Sequence, residues 1–212
     1  MEVSVGRRGH LRHWRIVTPP IEIVPATAEL WPALADLFQQ GGDPKRCWCM
    51  YWRVHGGDWA AFTAARNRAL LADLVQRGER PPGLVALDPE GRAVGWVSVA
   101  PREDYDRLER SRVLARVDER PAWSVVCFVV ARAMRRMGVA RTLLDAAAAY
   151  AREHGAELLE AYPIATGGKR ARAAWLYTGT TSMFEAAGFE CVATRQAPGA
   201  ARARHIYRRQ LR

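Results

Sequence analysis

The sequence WSVVCFVVARAMRRMGVARTLLDAAAAYAREHG, residues 123–155, joins an apolar run to an alanine-rich segment through a short basic turn. The apolar run, residues 123–130, has the length and composition of a strand that is buried on both faces. In the alanine-rich part, Leu143 and Leu144 lie on the apolar side of a helical pattern, and Gly155 suits the left-handed conformation that ends many helices. The stretch therefore predicts a central strand followed by a long amphipathic helix.

The turn RRMGVA, residues 135–140, has the features of an anion-binding site. The first turn of a helix has backbone N–H groups without partners and carries the positive end of the helix dipole. Gly138 allows a ligand to approach the backbone, while Arg135 and Arg136 add positive charge. The spacing matches neither a Walker A loop nor a dinucleotide-binding fingerprint. The turn thus predicts a phosphate site of another kind.

Elsewhere the chain alternates between strand-like and helix-like patterns, without internal repeats. The predicted elements are a strand at 21–27, a helix at 27–41, a helix at 58–78, a hairpin of strands at 84–87 and 93–99, a polar helical surface segment at 102–114, the central strand and helix, a strand at 156–164, a basic loop at 166–175, a helix at 178–188 and closing strands at 189–196 and 204–211. This order predicts an α/β fold with a mixed sheet. Residues 1–20 are predicted to be a flexible lead-in, and residues 21–212 a single domain.

The chain carries a net charge of +10, from 32 Lys and Arg residues against 22 Asp and Glu residues. Such a balance is typical of proteins that bind polyanions such as nucleic acids, and the arginine-rich ends of the chain agree with that alternative. The arginines are nevertheless scattered and do not form one stripe interleaved with aromatic residues. The pattern favours a ligand that bears phosphate over a nucleic acid.

Cellular location is indicated by three further features of the sequence. No apolar stretch reaches the roughly 18–20 residues that a membrane span requires, and the N-terminal segment lacks the apolar core of a secretory signal. The four cysteines, Cys47, Cys49, Cys127 and Cys191, are too few for a disulfide framework and suit reduced thiols. We therefore expect a soluble, cytoplasmic protein without a membrane partner.

A buried strand, the pattern R-x-x-G-x-A, an amphipathic helix, another strand and a final helix ending in MFEAAGF together resemble the GNAT N-acetyltransferase superfamily. The resemblance covers residues 21–211 and implies a mixed, mostly antiparallel central sheet with helices on both faces. In this family the turn binds the pyrophosphate of acetyl-CoA, and the preceding strand pairs with its pantetheine arm. The residues that the resemblance assigns to acetyl-CoA are Phe128, Val129, Val130, Arg135, Arg136, Met137, Gly138, Val139, Ala140 and Arg141. Several segments are similar to a bacterial subgroup, and relatives are often homodimers.

The general acid is the first point at which the chain departs from the family pattern. Family members commonly have a tyrosine near the sulfur of CoA in Y-E-x-x-G-F, whereas this chain has Phe184 in FEAAGF. Phe184 therefore counts as a cofactor contact that cannot donate a proton. Tyr177, Tyr162 and Ser182 are the alternative hydroxyl donors, and Tyr177 is our candidate acid.

The general base is equally unusual, because the position at which some relatives have a glutamate is Ser124 here. A base is needed to accept the proton of an ammonium acceptor. Glu160 interrupts an apolar strand, where burying an unpaired charge would be costly, so this charge is expected to have a partner or a function. Glu160 is our candidate base. A charge paired with an arginine is an equally good explanation for Glu160. Glu103 and His55 are weaker candidates.

The segment RCWCMYWR, residues 46–53, is the most distinctive part of the chain. Cys47 and Cys49 lack the spacing of a zinc ribbon, and no second ligand pair follows, so no metal is expected. In the GNAT layout this region often lines the acceptor pocket. The residues predicted to form an apolar or cation-binding wall there are Trp48, Tyr51, Trp52 and Trp59, and Tyr162 is assigned to the same substrate pocket. Packing of these rings in the core is the alternative.

The function that these observations predict is acetyl-CoA-dependent N-acetylation of a primary amine, on a small molecule or a peptide, by direct transfer in a ternary complex. The missing tyrosine leaves a second hypothesis, a non-catalytic regulatory module that binds acyl-CoA. A nucleic-acid-binding protein is the third, based on charge.

Overall fold

The computed structural model describes residues 20–40, 43–54, 62–77, 80–166 and 173–211. The strands are β1 Glu22–Pro25, β2 Gly83–Leu87, β3 Ala93–Pro101, β4 Trp123–Val130, β5 Leu158–Ala161, β6 Glu190–Arg195 and β7 Arg204–Gln210, and the helices are α1 Trp31–Gln39, α2 Pro44–Cys47, α3 Ala64–Gln76, α4 Asp106–Glu109, α5 Val139–Glu153 and α6 Thr181–Glu185. Short 3-10 turns lie at Ala28–Leu30, Met50–Trp52, Arg102–Asp104, Arg132–Met134 and Ala173–Thr178. Most of the predicted lead-in, Gly41 and Gly78 at the ends of the first two predicted helices, His55, Trp59 and much of the basic loop lie outside the described residues.

The seven strands form one sheet in the order β1-β2-β3-β4-β5-β7-β6. Each neighbouring pair is antiparallel except β4 and β5, which are parallel. Helix α5 connects these two strands, since parallel neighbours require a long crossover. The predicted mixed, mostly antiparallel sheet is confirmed.

Helices cover both faces of the sheet, as predicted. On one face, α1 and α3 pack over β3 and β4 through buried residues that include Leu34, Phe38, Leu71, Trp96 and Val126. On the other face, α5 and α6 pack through a second cluster that includes Leu143, Leu144, Val97, Val125 and Phe184. The near-continuous burial of β3 and β4 follows from this double cover.

The predicted helices differ from the structure mainly where a capping residue sets the boundary. Helix α3 begins at Ala64 because the Thr63 hydroxyl accepts a hydrogen bond from the Arg66 N–H. The predicted final helix is divided: a 3-10 turn ends at Thr178, Gly179 has φ of +79°, and Thr180 then caps α6. Glycine supplies the left-handed conformation that separates the two pieces.

The polar segment at 102–114 is not a simple surface excursion, and that prediction was wrong. Arg102, Tyr105, Leu108 and Leu114 are all buried. The sequence pattern is polar because the buried residues alternate with solvated charges, and one of the buried residues is itself an arginine. The segment is therefore anchored in the core.

The packing of α5 against the sheet gives a stability prediction. Leu144 is completely buried, so Leu144→Ala should lower the free energy of unfolding by about 2–5 kcal/mol through lost burial and a residual cavity. Urea denaturation would measure the change. Glu153→Ala, at an exposed site on the same helix, should change it by no more than about 0.5 kcal/mol. Equal effects would contradict this account of the core.

Candidate active site

Strands β4 and β5 pair over only three residues before they diverge. The paired residues are Trp123 with Leu159, Ser124 with Glu160 and Val125 with Ala161. Strand β4 continues to Val130, while β5 ends at Ala161. The remainder of β4 therefore has no strand partner on this side among the described residues, and its backbone is available to an extended ligand.

A β-bulge interrupts β4 at the point where the strands diverge. Ser98 pairs with Cys127 and Val99 with Val125, which leaves Val126 without a partner on β3. Val126 and Cys127 both belong to the core cluster under α1 and α3, so the bulge turns two consecutive side chains to one face. Bulges of this kind re-aim side chains and backbone groups next to functional sites.

The predicted phosphate turn lies between β4 and α5. Arg136 has φ of +65° and Gly138 has φ of +84°, so two residues of the turn adopt the left-handed conformation just before the helix begins. Within this described stretch the N–H groups of residues 136–140 donate no hydrogen bond to the chain. A Cβ placed on Gly138 would meet no atom within 4 Å, so space is open above these donors. This turn, called the cradle below, has the geometry that suits an anion at the start of a 15-residue helix.

The arginines around the turn are not equivalent. The Arg135 Nε donates to the carbonyl oxygen of Val130 at 3.2 Å, which ties the turn to the end of β4. Arg141 forms an ion pair with Asp145 at 2.9 Å, one helical turn further on. The charge of Arg141 is thus partly neutralised, whereas Arg135 and Arg136 are exposed.

Phe184 lies in the interior and contacts other aromatic rings. Its ring packs edge-on against Phe128 at 6.2 Å and Phe189 at 5.1 Å between centroids, and the side chain has no exposed surface. Phe128 belongs to β4, so this ring contact packs α6 against the strand that diverges from β5. Any contact of Phe184 with the cofactor stays a prediction.

Glu160 lies in a buried network of ion pairs and hydrogen bonds. Its Oε2 accepts from Arg102 Nη1 at 2.9 Å and from the Tyr162 hydroxyl at 2.7 Å, and its Oε1 accepts from Arg208 Nε at 2.8 Å. The Ser124 hydroxyl lies 2.8 Å from the Tyr162 hydroxyl. Glu160 is 1% exposed. The structure therefore has the alternative considered from the sequence, in which Glu160 is a charge paired with arginine.

Arg102 uses its remaining donors within the segment that follows β3. Its Nε binds the Glu109 carboxylate at 2.8 Å, and its Nη2 binds the carbonyl oxygens of Leu108 at 3.3 Å and Leu114 at 2.7 Å. Burial alone would lower the pKa of Arg102, but the tyrosine and the carboxylates around it raise that pKa above its ordinary value. The network is therefore permanently charged on its arginine side.

The rings of Tyr177, the candidate acid, and Tyr51, a predicted wall residue, contact each other. Their rings meet edge to face at 6.5 Å between centroids, and both side chains are partly exposed. Burial is the main cause that raises the pKa of Tyr177 above its ordinary value of 10.0. The phenol stays protonated throughout the physiological range and is able to donate a proton.

The other predicted wall residues belong to the core. The Trp48 ring stacks on Phe38, with 5.2 Å between centroids, and the centroids of Trp52 and Tyr162 are 6.3 Å apart. The three predicted residues Trp48, Trp52 and Tyr162 are all buried. Tyr51 is the member with exposed surface, and the guanidinium of Arg107 lies 4.2 Å from its ring centroid. The wall is thus one partly exposed tyrosine supported by buried rings.

Two buried thiols face each other beside the bulge of β4. The sulfur atoms of Cys49 and Cys127 are 2.7 Å apart, and the Trp96 indole N–H donates to Cys49 at 3.2 Å. Trp48 and Cys49 both adopt positive φ, at 49° and 52°, which brings the segment inward. The four cysteines are free, and the described residues contain no cluster of three or more side chains suited to a metal ion.

Comparison with known proteins identifies the family. The profile of the Acetyltransferase (GNAT) family matches residues 31–178, more than half of the chain. The chain therefore belongs to this family and is an N-acetyltransferase by class. No curated protein matched the sequence.

Solved structures agree with this fold. A GCN5-related N-acetyltransferase from Kribbella flavida is 18% identical with a TM-score of 0.55, covering 90% of this chain and 98% of that one. A Drosophila melanogaster polyamine N-acetyltransferase that forms N-acetylagmatine is 14% identical with a TM-score of 0.58, covering 91% and 100%. A ribosomal-protein-alanine N-acetyltransferase from Brucella melitensis is 23% identical with a TM-score of 0.51, covering 90% and 99%.

No described helix is long and apolar enough to cross a membrane.

Sequence reasoning missed Arg102, Arg208 and the thiol contact. Arg102 lies directly after a strand, and Arg208 lies within one, where a charge signals a buried partner just as it does for Glu160. The contact between Cys49 and Cys127 joins residues 78 positions apart and leaves no local pattern.

The buried network predicts a large loss of stability when one charge is removed. Arg102→Gln leaves the Glu160 carboxylate without one of its two arginines, and should lower the free energy of unfolding by about 3–5 kcal/mol. Arg110→Gln removes an exposed pair with Asp106 and should cost less than about 1 kcal/mol. Urea denaturation of both variants would test this, and similar losses would contradict the role given to the network.

Proposed function

We propose that the protein transfers the acetyl group of acetyl-CoA to a primary amine of a small molecule or a peptide, directly within a ternary complex. The observation that carries this proposal is the open cradle of unpaired N–H groups at residues 136–140, placed where the unpaired part of β4 ends. The family uses acetyl-CoA. The unpaired part of β4 would take its pantetheine arm, and the cradle that follows along the chain would take its pyrophosphate.

The residues of the cradle fit a pyrophosphate group. The N–H donors, the positive end of the α5 dipole and two exposed arginines all favour a doubly charged anion. The free edge of β4 over residues 128–130 offers backbone groups to the amides of pantetheine. Acetyl-CoA, when bound, supplies an acetyl group activated as a thioester.

The acid and base stay as proposed from the sequence, with Tyr177 and Glu160 in these roles. Tyr177 is supported by its partly exposed position against Tyr51 in the predicted acceptor wall. Glu160 has both oxygens engaged by arginines, so a proton would reach it through Tyr162 and Ser124, which form a continuous hydrogen-bonded chain with it.

Direct transfer is supported by the state of the thiols. A covalent acyl-enzyme would need a reactive thiolate near β4. Cys127 is buried against Cys49, and this contact, together with burial, raises the pKa of Cys127 above its ordinary value. Burial likewise raises the pKa of Cys47 to about 12, and Cys191 lies on β6 at the edge of the sheet. The free cysteines also favour a reducing, cytoplasmic setting.

Gly138 and Gly155 allow a matched test of acetyl-CoA binding. Both have positive φ and open space for a Cβ, and they flank the two ends of α5. Gly138→Val places a branched side chain over the cradle and should weaken acetyl-CoA binding at least about tenfold, measured by calorimetry. Gly155→Val introduces comparable backbone strain far from the cradle and should leave the affinity unchanged.

The binding experiment also decides the proposed function. Failure of the wild-type protein to bind CoA or acetyl-CoA at millimolar concentration would overturn it. Equal affinities of the Gly138→Val and wild-type proteins would place the cofactor elsewhere.

The acid and base are tested by a second pair of variants. Tyr177→Phe should lower kcat by about 100-fold or more with little change in KM, because a general acid acts on the departing thiolate and not on binding. Glu160→Gln should lower kcat, because an amide cannot accept the proton of the acceptor amine. A Glu160→Gln protein that unfolds more easily but keeps its kcat would leave Glu160 with a structural role alone.

A further inference from the structure

The thiol contact between Cys49 and Cys127 takes no part in the proposed reaction. It joins the residue before the 3-10 turn Met50–Trp52 to β4, with 2.7 Å between the two sulfur atoms. Non-bonded carbon atoms are about 3.5–4.0 Å apart at their best separation, and sulfur is a larger atom. A disulfide bond is about 2.0 Å long. The two sulfurs therefore lie nearer to bonding distance than to ordinary contact.

The position of Cys49 depends on an unusual backbone conformation. Trp48 and Cys49 have φ of 49° and 52°, in the left-handed region that residues with a Cβ rarely adopt. The Trp96 indole N–H donates to the Cys49 sulfur at 3.2 Å and holds it toward β3 and β4. Strained backbone of this kind persists where the surrounding structure holds it, often at a functional position.

The position of Cys127 depends on the bulge in β4. Successive side chains of a regular strand point to opposite faces of the sheet. Val126 and Cys127 nevertheless belong to the same core cluster, because Val126 has no partner on β3. Without the bulge, Cys127 would face α5, away from Cys49. Two separate irregularities of the backbone thus bring the sulfurs together.

The surroundings of the two thiols restrict which oxidant can reach them. Cys49 is 3% exposed and Cys127 is 6% exposed, so a bulky disulfide such as oxidised glutathione has little access. Hydrogen peroxide is much smaller and carries no charge. Burial and the contact with Cys49 raise the pKa of Cys127, so little thiolate is present and the reaction should be slow. The pair therefore suits a sustained exposure to peroxide.

We propose that Cys49 and Cys127 are a redox modification site, at which peroxide forms a reversible disulfide that ties the turn Met50–Trp52 to β4. This site does not depend on the proposed function. In a reducing compartment, disulfides are usually transient, and many of them are redox-sensing. The free thiols of the structure are then the reduced form of the site.

The reaction proceeds in two balanced steps. One sulfur takes an oxygen atom from hydrogen peroxide and becomes a sulfenic acid, while the first water is released. The other sulfur then attacks it, the S–S bond forms, and the hydroxyl group leaves with the proton of the attacking thiol as a second water. The two sulfurs together lose two electrons, which reduce the peroxide.

Peptide mapping of the folded protein tests the proposal. The reduced protein would be treated with hydrogen peroxide, blocked with N-ethylmaleimide in denaturant and digested with trypsin. Residues 47–53 and 117–132 then carry the two thiols in separate peptides. We expect both peptides in one species that is two hydrogens lighter than their sum, and dithiothreitol added before blocking should restore the separate peptides.

Variants identify the bonded sulfur, because residues 47–53 contain both Cys47 and Cys49. Cys49→Ser should lose the crosslink, whereas Cys47→Ser, two residues away, is the matched control and should keep it. In concentrated urea the selectivity should disappear. Cys191 lies at a comparable separation from Cys127 along the chain, so it should then compete with Cys49.

Four results would overturn the proposal. The first is a wild-type protein that keeps all its thiols in peroxide, and the second is oxidation of Cys49 or Cys127 to sulfinic acid without a crosslink. The third is a crosslink that survives in Cys49→Ser. The fourth is an equal preference for the Cys49–Cys127 pair in urea, because the folded contact would then not be its cause.

Discussion

The pairing of the Glu160 carboxylate with Arg102 and Arg208 determines how the middle of the sheet is held together. The three residues come from β5, from the end of β3 and from β7, so one buried anion connects elements on both sides of the parallel pair. That pair has only three residues in register, and the two strands diverge after Ala161, the residue that follows Glu160. The charges thus fix the sheet at the point where backbone hydrogen bonding between β4 and β5 stops.

Much of the fold follows from the sequence because its strongest signals are local. The apolar run of β4 and the spacing of Leu143 and Leu144 predict strand and helix without tertiary information. The turn between them is equally local, since Gly138 needs only its own left-handed conformation to shape the cradle. Most of the sheet and the proposed cofactor site were therefore predictable, whereas helix ends depended on caps such as Thr63.

The acceptor side was less accessible to prediction because its features depend on distant contacts. An aromatic run predicts a wall, but which ring is exposed is decided by what covers it: Phe38 covers Trp48, while Tyr51 meets Tyr177. The excess of arginine is similarly ambiguous in the sequence. In the structure Arg102 and Arg208 neutralise a buried carboxylate, so some of the net positive charge of the chain serves the interior.

The spacing of the buried charges along the chain also orders the events of synthesis. Arg102 precedes Glu160 by 58 residues, and Arg208 follows it by 48. Synthesis from the N-terminus adds Arg102 before Glu160 and Arg208 after it, so the second arginine joins the chain last. Closing such long loops is slow compared with forming local helices such as α5. Until β7 pairs with β5 and brings Arg208 to the carboxylate, Glu160 can have only one of its two arginine partners, so the charge balance of the interior is complete only when this last strand joins the sheet.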